Sequence, residues 1–246
     1  MLHRGILPSH ARWATFLRRL TYVVVDECHT YRGVFGSHVA HVLRRLRRIC
    51  ASYGAYPTFV LASATVASPA ISGRRLTGLD VEEVTDDASP RGSTAFALWE
   101  PPLTEAHGEH GATVRRAAGA AAARLLADLV VEDARALAFV RSRRGAEVLA
   151  LATRRHLASA APELADRVAA YRAGYLPEER RALEAALANG TLLGVAATNA
   201  LELGIDIAGL DAVVLAGFPG TLASLWQQAG RAGRGGLGAL VVFVAR

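Results

Sequence analysis

The chain has 246 residues, 52% of them hydrophobic and 20% charged, and 28 basic against 22 acidic side chains leave a formal charge of +6. This excludes a disordered polypeptide and allows one large core or two smaller ones. Two cysteines exclude a disulfide framework and a four-cysteine metal site, and the N-terminus "MLHRGILPSHARW" lacks the apolar stretch of a signal peptide. With no apolar window long enough to span a bilayer, a cytoplasmic protein with no membrane partner is expected. The basic excess favours a polyanionic partner. All 28 basic residues are arginine in an Ala-rich chain, however, a pattern that coding bias also produces, so charge alone decides little.

Along the chain, short apolar runs alternate with longer segments of helical period, the signature of an α/β protein with buried parallel strands. The runs predict strands at Tyr22 to Val25, Thr58 to Ala62, Ala136 to Val140, Arg167 to Tyr171, Leu192 to Ala197, Ala212 to Ala216 and Ala239 to Val244. In Ser37 to Cys50, Val39, Val42, Leu43, Leu46 and Ile49 recur at helical spacing, and Arg44, Arg45, Arg47 and Arg48 read as a solvated face. A second helix is expected over Glu178 to Ala188, after Pro177 and with its acidic residues first. From Asp86 to Gly111, Pro, Gly, Ser and charge interrupt one strand-like piece, Ala95 to Trp99. This divides the chain into a first unit, 1–90, a linker, 91–111, and a second unit, 112–246. The Ala-rich Gly119 to Ala123 reads as helix.

The chemistry is expected at strand ends. "VVVDECHT" runs three β-branched residues into Asp26 and Glu27, and ligands of an α/β sheet bind beyond the carboxyl ends of its strands. A carboxylate there can hold hydrated Mg²⁺ while its neighbour orients a water towards a phosphoryl group, although a lone acidic pair is more often a cap or a surface turn. Three further segments favour chemistry. "LASATVASP" brings Ser63, Ala64 and Thr65 to a strand end, and "VAATNALELGIDI" leads to Thr198, then Gly204 and Asp206. "QQAGRAGRGG" carries Gln227, Gln228, Arg231 and Arg234, with the two arginines three apart and so expected on one helix face. Two guanidiniums reaching one point can neutralise a transferring phosphate. "GRGGLG" satisfies a dinucleotide-binding pattern but follows a helix and precedes a strand, the reverse of the required order. His107 and His110 read as a solvated pair, since no cysteine stands near them.

"DECH", "SAT", "FVRSRR", "TNALELGID" and "QQAGRAGR", in that order, resemble motifs II to VI of the superfamily 2 DEAD/DEAH-box helicases. "DECHTYRGVFGSHVAHVLRRLRRIC", "YRAGYLPEERRALEAAL" and "TNALELGIDIAGLDAVVLAGFPGT" are similar to its bacterial mitomycin-repair-factor branch, related to fungal RecQ-like helicases. The resemblance covers nearly the whole chain. It implies two RecA-like domains of mostly parallel sheet, the first truncated at its N-terminus, with ATP and Mg²⁺ as cofactors and a single-stranded or partly duplex nucleic acid, DNA by family, as partner. It implies that Asp26 organises Mg²⁺, that Glu27 activates water, and that His29, Ser63, Ala64 and Thr65 couple hydrolysis to domain movement. Arg231 and Arg234 are implied as arginine fingers with Gln227 or Gln228 beside them, and Gly204 and Asp206 as lining the nucleotide cleft. Arg141, Ser142 and Thr198 are implied to face the nucleic-acid backbone.

The pattern has gaps. A phosphate-binding loop needs a lysine, and the chain has none. Only 25 residues precede Asp26, and "MLHRGILP" resembles the segment after motifs I and Ia, so the expectation is the interior of a longer DNA-repair helicase, with segments missing on both sides. A first unit without its central strand should expose strand edges and apolar faces, and ATP hydrolysis by this chain should be weak or absent. The alternative is a non-catalytic nucleic-acid-binding fragment.

Overall fold

The computed structural model describes residues 1–63, 66–86, 92–107, 111–201, 209–233 and 238–245. The chain forms two compact units, Met1–Asp87 and Ala88–Arg246.

In the first unit, β1 (Tyr22–Val25) and β2 (Thr58–Leu61) pair in parallel, Val25 opposite Leu61. One side of this two-stranded sheet packs on α2 (Gly33–Ser52) and α3 (Pro69–Thr77) through Val25, Ala40, Leu43 and Leu76. A second cluster joins Leu7 and Leu17, the latter from α1 (Ala14–Arg18), to Leu46 and Cys50 of α2. The other side is open: Tyr22, Val24 and Val60 are all exposed. Such exposure is what a parallel pair shows when only one face is covered, because alternate side chains point to opposite faces.

Helix α2 starts four residues earlier than its apolar period indicates. Gly33 takes a φ of +57° at the first position, and Gly36 lies so close to Tyr31 that an added Cβ would collide with the Tyr31 carbonyl oxygen. Both glycines read as breakers in sequence, yet here they admit the helix. The arginine run of α2 also departs from a purely solvated face. Arg44 Nη2 donates to the Arg75 carbonyl at 2.7 Å and Arg47 Nη1 to the Thr77 carbonyl at 2.9 Å. These carbonyls belong to the last turn of α3, where intrahelical partners run out and cations are favoured.

The second unit is built on a six-stranded, all-parallel sheet in the order β3-β10-β9-β6-β8-β7. Its strands are β3 (Thr94–Trp99), β6 (Ala136–Phe139), β7 (Val168–Tyr171), β8 (Gly194–Ala197), β9 (Ala212–Ala216) and β10 (Ala239–Val244), while β4 (Leu103–His107) and β5 (Thr113–Arg115) form a separate antiparallel pair. The stretch read as a linker thus carries the edge strand β3 and the strand β4. Its Pro and Gly punctuation marks the strand ends. The four residues of β6 are all buried and alternate between two cores. Ala136 and Ala138 meet α4 (Ala118–Val131) and α5 (Arg143–Ala160), whereas Leu137 and Phe139 meet α6 (Pro177–Ala188) and α7 (Leu222–Ala229). Burial on both faces makes such strands read as unbroken apolar runs. At the opposite edge, Arg154 Nε donates to the Val168 carbonyl at 2.8 Å, occupying an acceptor that an edge strand would otherwise offer to a further strand.

Gly36→Ala is expected to destabilise the first unit by about 1–3 kcal/mol, because the collision is with backbone and an overpacked site must shift; the midpoint of denaturant unfolding checks it.

Candidate functional site

The first-unit site is made by strand register. With Val25 opposite Leu61, the chain leaves β1 and β2 at the same edge, and the two exits are joined: Ala62 N–H donates to the Val25 carbonyl at 2.9 Å and Cys28 N–H to the Ala62 carbonyl at 3.0 Å. Between those bonds lie Asp26 and Glu27. Asp26 is exposed, and its Oδ1 accepts the Glu27 N–H at 2.8 Å. Glu27 has a φ of +48°, a left-handed conformation that costs a non-glycine residue about 1–3 kcal/mol and is kept where surroundings enforce it. Here its carbonyl accepts from both the Thr30 N–H at 3.0 Å and Thr30 Oγ1 at 2.8 Å.

The turn aims three polar groups at one another. His29 Nδ1 lies 3.3 Å from Glu27 Oε2 and 3.1 Å from Ser63 Oγ. The His29 side chain is 7% exposed while that of Glu27 is 40% exposed, so the imidazole is fixed within the turn and the carboxylate reaches solvent. Ser63 also bonds the Cys28 thiol, which burial above all pushes upward, with Asp26 and Glu27 adding to the rise and the Ser63 bond opposing it. The predicted Asp26, Glu27, His29 and Ser63 therefore form one cluster; Ala64 and Thr65 lie outside the described residues. Among the described residues no group of three or more His, Cys, Asp or Glu could hold a metal ion by itself. That donor set suits Mg²⁺, which is commonly bound by one or two carboxylates together with substrate phosphates and waters. Asp26, with one oxygen engaged by an amide, fits that role.

In the second unit the predicted residues again sit at strand ends. Arg141 follows β6 and is exposed, and Ser142 caps α5 by accepting the Gly145 N–H at 3.0 Å. Thr198, just past β8, is only 5% exposed; its N–H donates to the Tyr171 carbonyl and its own carbonyl accepts from Leu201. On α7, Gln227 is half-buried and Gln228 buried, with Gln228 Nε2 donating to Ser224 Oγ at 3.3 Å. A cavity of about 110 Å³ brings Arg141, Asn199, Ser224 and Gln228 together. Arg231 is not on a helix face as expected. Helix α7 ends at Ala229, with Gly230 as its cap bonding back to Trp226, and the buried Arg231 lies in the following turn, which Gly233 closes by donating to the Leu210 carbonyl. Arg234, Gly204 and Asp206 lie outside the described residues.

Two features escaped the sequence reading. Arg115 and Arg116 join Arg141 and Ser142 around a groove of about 660 Å³ with an alanine-lined floor. Arg115 is held by Glu100 at 2.8 Å and by the Pro101 carbonyl at 2.9 Å. An arginine pair directly before a helix, "TVRRAAG", was the available signal. The second is the loop after β7, where Arg172 Nε donates to Glu147 Oε1 at 2.6 Å, Tyr175 OH donates to the same oxygen at 3.0 Å, and the guanidinium lies 4.7 Å from the Tyr175 ring centroid. The Arg172 bond holds the Glu147 carboxyl below its ordinary range. Next to it, the Tyr171 phenol is pushed up to about 12 by burial and then by its bond to Glu184.

The comparisons with known proteins agree with this geometry. The DEAD/DEAH box helicase model matches residues 1–72, and the helicase conserved C-terminal domain model matches residues 121–236. The chain belongs to the DEAD/DEAH-box helicases. It is 44% identical over 246 residues to the uncharacterized ATP-dependent helicase YprA of Bacillus subtilis, covering all of this chain and 32% of that protein. It is 41% identical to the ATP-dependent helicase hrq1 of Schizosaccharomyces pombe, covering 99% of this chain and 23% of that one. Among solved structures, the DUF1998 helicase MrfA bound to DNA and AMPPNP matches with a TM-score of 0.90 and 43% identity over 100% of this chain and 33% of that chain. Dbp5 of S. cerevisiae, at 17% identity and a TM-score of 0.63, shares the RecA-like fold. The chain thus spans a quarter to a third of the length of these curated relatives.

Because the Glu147 carboxyl is held low in the folded state, its stabilisation is present above the ordinary carboxylate range and is lost as pH falls through the lowered value. Glu147→Gln should lower the thermal midpoint at neutral pH. The gap from the unsubstituted chain should close as pH is taken down from about 4.5, and melting curves across that acid limb check it.

Proposed function

We propose that the protein to which this chain belongs is an ATP-dependent helicase that couples ATP hydrolysis to movement along nucleic acid, DNA by preference, in DNA repair. The observation that carries the reading is the DEAH turn itself, in which an exposed Asp26, a Glu27 held in left-handed backbone and a His29 bridging to Ser63 stand at one strand edge. Support for DNA comes from MrfA, whose structure is bound to DNA and AMPPNP.

In this reading Asp26 holds Mg²⁺. When bound with the triphosphate, the ion neutralises charge on the transferring phosphoryl group. The Glu27 carboxylate orients the attacking water and accepts its proton, and the His29 imidazole, held between Glu27 and Ser63, passes a change at that carboxylate to the second strand exit. Ala64 and Thr65 belong to the same coupling segment. Arg231 and Arg234 counter phosphate charge, with Gln227, Gln228, Gly204 and Asp206 contacting the nucleotide. Arg141, Ser142 and Thr198 meet the nucleic-acid backbone; the Ser142 hydroxyl, whose oxygen already accepts a helix amide, offers its hydrogen to a phosphate.

A second reading applies to the chain by itself. None of its 246 residues is a lysine, so the lysine that reaches the β and γ phosphates in phosphate-binding loops is not among them. The 246 residues alone are therefore expected to bind single strands without an ATP effect. The logarithm of affinity should fall linearly with that of salt concentration, at about 0.7 per phosphate contacted, as fluorescence anisotropy across a salt series would read. DNA-stimulated ATPase of the chain alone should be at background; turnover that Glu27→Gln abolishes would show that expectation wrong, and would place catalysis within these residues.

A further inference from the structure

Helices α2 and α3 diverge beside the DEAH turn to leave a groove of about 1100 Å³ that the helicase roles above do not use. Its lining is one-sided in charge. Arg32, Arg44, Arg75 and His41 face it together with the hydroxyl residues Ser37 and Ser72, and no Asp or Glu lines it among the described residues. On α2, Gly33, Ser37 and His41 succeed one another at intervals of four, which places them in one row along the helix. On α3, Ser72 and Arg75 stand three apart and so share the opposing face. Arg44 is committed to clamping the end of α3. Arg32 is pinned across the turn by its Nε bond to the His29 carbonyl at 2.7 Å, which leaves its Nη groups for a ligand. The amino end of α2 has no side-chain cap and no acidic residue in its first turn. That of α3 is partly taken, since the Ala70 N–H donates to Glu83 Oε2 at 3.2 Å.

An independent observation gives the ligand a second chemical character. Tyr31 lines the groove, and its ring lies 5.8 Å from that of Phe35 at 52°. Phe35 is 60% exposed and the adjacent Val34 is 76% exposed. Two exposed apolar side chains at the start of a helix that begins with Arg-Gly are not explained by packing within the unit. A row of cationic and hydroxyl donors beside an exposed aromatic ring is the combination that binds single strands, with phosphates on the donors and a base stacked on the ring.

We propose that this groove is a single-strand nucleic-acid site, in which Arg32, His41 and Arg75 contact the phosphodiester backbone and Phe35 stacks on a base. The proposal rests on the nucleic-acid reading above and adds a contact surface outside the strand-end motifs. It is tested on the purified chain with fluorescein-labelled oligothymidylate. The double substitution His41→Glu with Arg75→Glu and, separately, Phe35→Ala should each weaken binding about tenfold, the range that loss of stacking or of paired phosphate contacts produces. The charge variant should also flatten the salt dependence, and Phe35→Ala should lose its effect on an abasic strand. Because a weakened variant could reflect disturbed folding, the unsubstituted chain is also photo-crosslinked to a strand carrying 5-iododeoxyuridine, with the adduct expected on the peptide containing Tyr31 and Phe35. If the chain binds but both variants retain full affinity and the adducts fall on second-unit peptides, the groove is not the site and the helicase reading stands. If inorganic phosphate displaces the strand at equal phosphodiester concentration and Phe35→Ala has no effect, the groove is an anion site and the stacking assignment falls. If the unsubstituted chain binds no strand at all, both the groove and the nucleic-acid reading fail.

Discussion

The parallel pairing of β1 with β2, Val25 against Leu61, is the constraint on which the first unit's chemistry depends. Parallel strands leave the sheet at a common edge, so residues distant in sequence are delivered to one place without any contact specifying them. Here the delivery is enforced by backbone: the Cys28 amide returns to the Ala62 carbonyl and the Ala62 amide to that of Val25. These two bonds fold the chain tightly enough that Glu27 must take a left-handed φ. The strain is local, and the double acceptance at its carbonyl offsets part of it. What results is a short, stiff turn in which an imidazole is fixed between a carboxylate and a hydroxyl. A one-residue slip of register would send Ser63 to the other face and dissolve the cluster.

The second unit solves the same problem with more material. Its sheet is six strands wide and its central strands are buried on both faces, so that the exits after β6 and β8 and the start of α7 converge with little freedom. The small residues of β6 and β8 matter for this. Gly194 has the side chains of Val130 and Val168 near 3 Å from where a Cβ would stand, so α4 and the edge strand press directly on the backbone there. Such close layers hold Arg141, Asn199 and Gln228 around one small cavity. Precision comes from packing density and not from hydrogen bonds among the functional groups themselves.

Much of this organisation was legible because buried parallel strands read as continuous β-branched or small apolar runs, and because each such run ended in a short polar motif. The seven predicted strands occur within a residue or two of their expected ends. What stayed illegible has specific physical causes. Strand β3 alternates exposed and half-covered side chains and is framed by Pro and Gly, so it reads as part of a junction. The start of α2 is hidden by two glycines that satisfy a close approach to Tyr31 and a positive φ. The turn at Arg231 follows from Gly230 and Gly233 ending a helix that residue spacing alone would continue. The cavity around Arg141 and the groove between α2 and α3 depend on which elements become neighbours, information carried by tertiary packing and by no local pattern.

Arginine is the only strong cation in the chain, and its uses separate by position. Arg44, Arg47, Arg154 and Arg167 donate to backbone carbonyls at helix ends, strand edges and turns, work for which a planar, always-charged donor with several N–H groups is suited. Arg115 and Arg172 are tied to carboxylates. Subtracting these leaves a smaller set, including Arg32, Arg75, Arg116 and Arg141, that lines open grooves. The formal excess of +6 is therefore a poor guide to where a polyanion would bind. Placement decides it, because a guanidinium already satisfied by carbonyls contributes field but few donors, whereas one set on a groove with no opposing carboxylate contributes both.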